Sequence, residues 1–304
     1  MNKLLEVKNV VKKFNTGGLF SNKKLTAVND VSFTLDKNKP EIFTIIGESG
    51  SGKTTLARMI LGLETTTHGE ILHEGKRVDG NANRSTRMNF MRSVQPVFQN
   101  PFEAFNPLKK IDQYLVSTTK ELLQIEDDEE VKTIIDDNLQ KVGLSHAEIM
   151  GRYPHELSGG QLQRTAIARA LICNPSLLVA DEPVSMVDAS LKMSIVNLLQ
   201  SLRDDFGVNV IYITHDLATA YYISDRIIIM QKGLVVEMGP ARPILDDPKH
   251  PYSQLLKASV LSIADAGNGQ LAPATDLIEI VNRNEGQIGK MRTYEDTRQV
   301  REYS

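Results

Sequence analysis

The segment Gly47-Glu48-Ser49-Gly50-Ser51-Gly52-Lys53-Thr54 fits the phosphate-loop pattern G-x-x-x-x-G-K-S/T. An apolar, strand-like run, Ile42-Phe43-Thr44-Ile45-Ile46, leads into it, and a helix-like run from Thr55 to Leu61 leaves it. This unit commits the chain to an α/β fold in which a buried strand delivers a loop to the start of a helix. The glycines let the backbone curl so that successive N–H groups point inward at a polyphosphate, and the helix dipole adds positive potential there. Lys53 is placed to meet the β- and γ-phosphates, and Thr54 to offer its hydroxyl to Mg²⁺. The expected nucleotide-binding set is therefore Gly47, Glu48, Ser49, Gly50, Ser51, Gly52, Lys53, Thr54 and Thr55.

Composition narrows what surrounds this loop. A chain of 304 residues with 41% hydrophobic content buries roughly three quarters of its unfolded surface in one large or two modest domains. Its net charge is −3, and its lysines and arginines are dispersed, so no basic stripe suits nucleic-acid phosphates. No apolar run approaches the roughly 20 residues of a membrane span, and Met1 to Lys8 has neither an apolar core nor a cleavage site, so the expected location is cytosolic. The single cysteine, Cys173, cannot form an internal disulfide or supply a metal cluster alone, and reads as a small buried hydrophobe. The acidic run Glu126 to Glu130 precedes Val131-Lys132-Thr133-Ile134-Ile135 and reads as a solvated helix start.

Along the chain, Val7, Val10-Val11, Val31, Phe33 and Leu35 alternate as in antiparallel sheet, and residues 69–79 add one short strand. From about Gln99 to Ser158 the pattern turns helical, entered through a loop with Asn100-Pro101 and Asn106-Pro107, which suggests an inserted helical subdomain. A helix over Gln161 to Ala170, a strand at Leu177 to Ala180, a helix near Leu191 to Leu202 and a strand at Val210 to Thr214 then alternate, which implies a parallel sheet. In the tail, Ala264 to Gly269 reads as a flexible linker and Leu277-Ile278-Glu279-Ile280-Val281 as one short strand.

Two more segments carry chemistry. Asp181 and Glu182 close the buried strand Leu177 to Ala180, at the strand end where α/β proteins keep their ligands. Asp181 suits the metal and Glu182 the attacking water, because phosphoryl transfer needs mainly positioning and charge stabilisation. In Leu157-Ser158-Gly159-Gly160-Gln161, Ser158 and Gln161 have the spacing of a capping box, and two glycines uncover backbone N–H groups at a helix start. A plain helix cap explains the serine alone; the pair of anion sites in one monomer asks for more.

The segment 157–161 resembles the signature of the ATP-binding cassette (ABC) family, and matching motifs follow in order from Leu4 to about Gly239. The resemblance implies an α/β fold: a P-loop NTPase (RecA-like) core, an antiparallel β-subdomain, an inserted helical subdomain over about 100–164, and a short C-terminal extension. It divides the chain at 1–240 and 241–304. In this family two ATPase domains dock head to tail, each ATP lying between one phosphate loop and the other domain's signature. The implied catalytic residues are Glu182, His215, Lys53 and Gln99; the metal residues are Thr54, Gln99 and Asp181. Ser158, Gly159, Gly160 and Gln161 would meet the partner's nucleotide, Asp188 would join the two sites, and Phe14 would stack on adenine, with core packing its competitor.

Arg152-Tyr153-Pro154-His155-Glu156, Gln99-Asn100-Pro101 with Phe105-Asn106-Pro107, and His250-Pro251-Tyr252 resemble the oligopeptide and dipeptide importer branch. That resemblance implies ATP and Mg²⁺, a second and homologous ATPase subunit, two transmembrane permease subunits, an extracytoplasmic solute-binding protein, and a peripheral place on the cytoplasmic face of the membrane. Peptides, oligosaccharides and nickel are all cargoes of the branch. Phe102 and Phe105 read equally as a grip on a permease helix or as core. Many relatives carry a C-terminal cysteine group; here Cys173 stands alone, so no iron–sulfur cluster is expected. An ATPase component of a soluble enzyme complex of the phosphonate-breakdown type is the alternative.

Overall fold

The computed structural model describes residues 2–16, 24–78, 83–265, 275–284, 289–294 and 296–303. Two long strands, β1 (Lys3–Asn15) and β2 (Lys24–Asp36), precede β3 (Ile42–Ile46), the phosphate loop and α1 (Lys53–Ile60). A hairpin, β4 (His68–His73) and β5 (Lys76–Arg77), leads to α2 (Arg84–Ser93) and β6 (Val94–Val97). The helical insert follows as α3 (Ile111–Leu123), α4 (Asp128–Lys141) and α5 (His146–Ile149), then α6 (Gly159–Leu171). Strand and helix then alternate through β7 (Leu177–Asp181), α7 (Ala189–Asp204), β8 (Asn209–Thr214), α8 (Leu217–Ile223), β9 (Arg226–Gln231) and β10 (Leu234–Pro240). The chain closes with α9 (Ala241–Asp246), α10 (Pro251–Asp265), α11 (Thr275–Arg283), β11 (Met291–Thr293) and β12 (Gln299–Arg301).

The strands form a four-stranded sheet, β2-β1-β4-β5, and an eight-stranded sheet, β11-β12-β10-β9-β3-β8-β7-β6. In the larger sheet β6, β7, β8, β3 and β9 run parallel, with Ile46 beside Thr214 and Ala180 beside Tyr212. Every residue of β3 and β8 is buried, as a parallel strand covered on both faces requires, and that is why these segments read as unbroken apolar runs. This register sets the carboxyl ends of β3, β7 and β8 side by side, so the loop at Gly47, the Asp181-Glu182 pair and His215 leave the sheet at one edge.

The antiparallel sheet packs Val7, Val31 and Leu35 with Leu56 and Met59 of α1 and with Phe43 and Ile45 of β3. The other face of the large sheet shares a core with the helical insert, where Leu115, Ile135 and Leu139 meet Leu162 and Ile167 of α6. Phe105 belongs to this core, its ring edge-on to Tyr114 at 5.1 Å, whereas Phe102 is 47% exposed. Asp127 caps α4 by accepting from the Glu130 N–H, with Asp128, Glu129 and Glu130 in the first turn: the acidic run is a helix start. Cys173 is half-buried against the same core, and burial pushes its thiol pKa up.

Three sequence expectations need correction. Residues 277–281 form part of α11, not a strand. Val281 is buried in the core and Leu277, four residues before it, is half-buried, while Ile278 and Ile280 are exposed, so the helical period prevails over the β-branched content. Ala264 and Asp265 are the end of α10, not linker, and 266–269 lie outside the described residues. The segment starting near 69 makes two strands, reversing at Glu74 and Gly75, both of positive φ. Among the described residues no helix is long and apolar enough to cross a membrane.

Candidate nucleotide-binding and hydrolysis site

A cleft of about 930 Å³ opens over the phosphate loop, lined by Glu48, Ser49, Gly50, Gly52, Lys53, Thr54 and Thr55 together with Phe14, Gln99, Glu182 and His215. Its volume lies at the upper end of ordinary small-ligand sites. Gly52 caps α1 at φ 101° without a side-chain hydrogen bond, and a Cβ there would lie 2.2 Å from the Ala27 carbonyl oxygen. Only glycine permits both the left-handed turn and the close pass beneath β2. Gly47 and Ser51 back the loop instead of lining the cleft. A Cβ on Gly47 would fall 2.3 Å from the Met230 carbonyl oxygen, and the buried Ser51 accepts at its carbonyl from the Gly233 N–H, 2.9 Å away.

Lys53 is 5% exposed, and its ammonium donates to the Gly47 and Glu48 carbonyl oxygens at 2.7 and 2.9 Å. Burial draws its pKa down, opposed by the charges of Glu182, Asp181 and Glu48. Burial raises the Asp181 pKa, and a hydrogen bond from the Thr54 hydroxyl pulls it back. Asp181, Thr54 and Gln99 line a hollow that adjoins the cleft.

Glu182 is the residue around which the site is built. It sits in the left-handed region at φ 46°, a conformation rarely adopted without glycine, and its N–H is held by the Ile213 carbonyl at 2.9 Å. That kink turns its carboxylate from the end of β7 toward its neighbours. Oε2 accepts from Gln99 Nε2 at 3.1 Å, and Oε1 lies 3.1 Å from His215 Nδ1. Phe14, on β1, forms one wall of the cleft, with Lys12 Nζ 5.0 Å from its ring centroid.

The remaining expected residues lie elsewhere. Ser158 caps α6: its Oγ accepts from the Gln161 N–H at 3.2 Å, and Gln161 Oε1 accepts from the Ser158 N–H at 3.1 Å. This is the capping box its spacing implies. Gly160 packs so closely on α7 that a Cβ would lie 2.9 Å from Leu191 Cδ1, and Gly159 faces the Met186 carbonyl. Asp188 stands at the start of α7. None of these five residues lines the cleft over the phosphate loop. Thr26 and Ala27 of β2 and Lys232, between β9 and β10, do line it. The sequence reading missed them because they converge only through sheet packing, and no local motif marks them.

A phosphate loop at the end of a parallel strand, with a carboxylate pair at the same end of a strand one place further along the sheet, beyond β8, defines a P-loop nucleoside triphosphatase. The ABC transporter family profile matches residues 28–185. The oligopeptide transport ATP-binding protein AmiF of Streptococcus pneumoniae is 38% identical over 258 residues, 85% of this chain and 82% of that protein. AppF of Bacillus subtilis, also an oligopeptide transport ATP-binding protein, is 39% identical over 263 residues, 84% of this chain and 78% of its own. Among solved structures, the post-hydrolysis dimer of the ATP-binding cassette MJ0796, bound to ADP and Pi, superposes with a TM-score of 0.69 at 28% identity. It covers 78% of this chain and 99% of that one. The chain belongs to the ABC transporter family, as an ATPase that drives transport.

Proposed function

We propose that this chain is the ATP-hydrolysing subunit of an importer for oligopeptides, acting with a second, homologous ATPase subunit, two transmembrane permeases and an extracytoplasmic solute-binding protein. The observation that carries the reading is the Glu182 carboxylate, held between Gln99 and His215 at the mouth of the phosphate-loop cleft. Glu182 orients one water in line with the γ-phosphate and takes its proton; His215 and Gln99 fix the two carboxylate oxygens. Lys53 and the loop N–H groups hold the phosphates, and Phe14 the adenine. The names of AmiF and AppF support the oligopeptide assignment and do not favour a soluble enzyme complex.

Among the described residues no three or more His, Cys, Asp or Glu side chains gather as a metal cage. The hydrogen-bonded pair of Thr54 and Asp181, with Gln99 beside it, instead fits Mg²⁺, which characteristically takes few protein ligands and completes its shell with phosphate and water. When bound there, Mg²⁺ neutralises charge on the β- and γ-phosphates.

The five residues outside the cleft serve a second copy of the fold. In our reading residues 158–161 and Asp188 meet the nucleotide held by the partner ATPase, so that ATP closes the dimer through its higher affinity for the closed state. Residues 1–240 form the nucleotide-binding domain and 241–304 its extension. The subunit sits peripherally on the cytoplasmic face of the membrane, with Phe102, exposed at the entry to the helical insert, against a permease helix. Affinity purification of the tagged Glu182→Gln chain from gently solubilised membranes, with ATP and Mg²⁺, tests the assignment. Co-purification of two permeases and a second ATPase is expected; recovery of soluble enzymes alone would overturn it.

A further inference from the structure

We propose that Tyr252, at the start of α10 in the C-terminal extension, is a positioning residue for the phosphate loop. The inference rests on the reading that Lys53 binds ATP phosphates, and deepens it. The Glu48 N–H, inside the loop, donates to the Tyr252 hydroxyl at 3.1 Å, across 204 residues of sequence. The other end of the same peptide unit, the Gly47 carbonyl, accepts from Lys53 Nζ at 2.7 Å. A trans peptide is planar, with its N–H and C=O pointing in opposite directions. One plane is therefore clamped between the phenol of the extension and the ammonium of the site.

The next carbonyl, of Glu48, accepts from Lys53 Nζ at 2.9 Å and from the Ser51 N–H at 3.2 Å. Rotation of the Gly47–Glu48 plane moves the Gly47 carbonyl, the nearer of the two that hold the ammonium. Gly47 is in turn pressed against the Met230 carbonyl, where a Cβ would lie 2.3 Å away.

Tyr252 is itself rigidly held. Its ring is 2% exposed, and burial pushes the phenol pKa up to about 12, so the hydroxyl stays neutral. Its N–H donates to His250 Nδ1 at 3.1 Å, and the His250 N–H donates to Glu237 Oε2 at 3.1 Å. Glu237 is fully buried in β10 and also accepts from the Lys249 N–H. The turn at 249–252 is thereby fastened to the large sheet, and the hydroxyl meets the loop from a fixed platform. Lys53 engages phosphate in the ground state and the transition state alike, so loosening it raises KM more than it lowers kcat.

The test is Tyr252→Phe in the full chain, with the unmodified chain and Lys53→Ala alongside. Binding of a fluorescent ATP analogue, thermal unfolding without nucleotide, and kcat and KM in the complex purified with its partners are measured. Loss of one hydrogen bond corresponds to about a five-fold weaker Kd and a similar rise in KM, with kcat and the unfolding midpoint nearly unchanged. If the unmodified chain binds ATP, Lys53→Ala does not, and Tyr252→Phe binds as tightly as the unmodified chain, the proposal is wrong. A lowered unfolding midpoint with unchanged Kd would make Tyr252 a purely structural residue and also overturn it. Failure of the unmodified chain to bind, or equal binding by Lys53→Ala, would instead remove the reading beneath it, and the proposal with it. Hydrogen exchange at the Glu48 amide of the unmodified, nucleotide-free chain gives a check independent of any variant: protection is expected, and exchange at the rate of an open loop contradicts the clamp.

Discussion

Acidification should destabilise the fold through one side chain, His250. Burial holds its imidazole pKa down to about 4 from 6.5, with the Arg301 guanidinium adding to the effect. The geometry gives the reason in atoms: Nδ1 accepts the Tyr252 N–H, so a protonated ring would set two donors against each other. The unfolded chain takes up this proton near pH 6.5 and the folded chain only near 4, so stability is full above the first value and falls as the pH drops toward the second. At about 1.36 kcal/mol for each pKa unit, the gap corresponds to about 3 kcal/mol, all of it lost below pH 4. Urea unfolding followed by circular dichroism, for the unmodified chain and His250→Asn at pH values from about 7.5 to about 4, isolates the contribution, because other titrations cancel in the difference. The advantage of histidine over asparagine should shrink by about 3 kcal/mol across that range. A difference that stays flat with pH would refute the assignment of a neutral, acceptor Nδ1.

The remaining expectations concern single side chains. Ser158→Arg should abolish hydrolysis in the assembled complex while leaving ATP binding to the isolated chain within about two-fold, as equilibrium titration would show; equal loss of both would place residue 158 in its own chain's site. Phe105→Ala, which empties a buried site in the core of the helical insert, should cost about 3 kcal/mol in chemical denaturation. Phe102→Ala, at an exposed position, should stay within about 0.5 kcal/mol yet reduce the permeases retained in co-purification. Unchanged retention would remove Phe102 from the permease contact.

Much of the site was legible because its parts are local. The phosphate loop, the carboxylates ending β7, the histidine after β8 and the capping box at Ser158 each combine a short motif with the element that presents it. What brings them together is not local. The order that sets β3 between β8 and β9 leaves no mark in any one segment, and Phe14 reaches the cleft from a different sheet. Phe102 and Phe105 read alike in sequence, three residues apart in one loop, and packing alone separates an exposed ring from a buried one. The tail misled for a physical reason. Ile278, Ile280 and Val281 favour a strand by composition, but a helix is what buries Val281 in the core and leaves Ile278 and Ile280 exposed. The two short strands after it add to the sheet through pairing of β12 with β10, a long-range contact that segments of three residues cannot announce.

In the proposed mechanism Glu182 is the group that orients the attacking water. Its most direct test is ATP turnover by the purified transporter complex carrying Glu182→Gln, measured beside the unmodified complex under saturating ATP and Mg²⁺, with nucleotide retention recorded on the same samples. The amide keeps the size of the side chain and its place between Gln99 and His215 but cannot take the proton. The expected result is a fall in kcat of at least about 100-fold, with ATP still bound. Turnover at the unmodified rate would contradict the account.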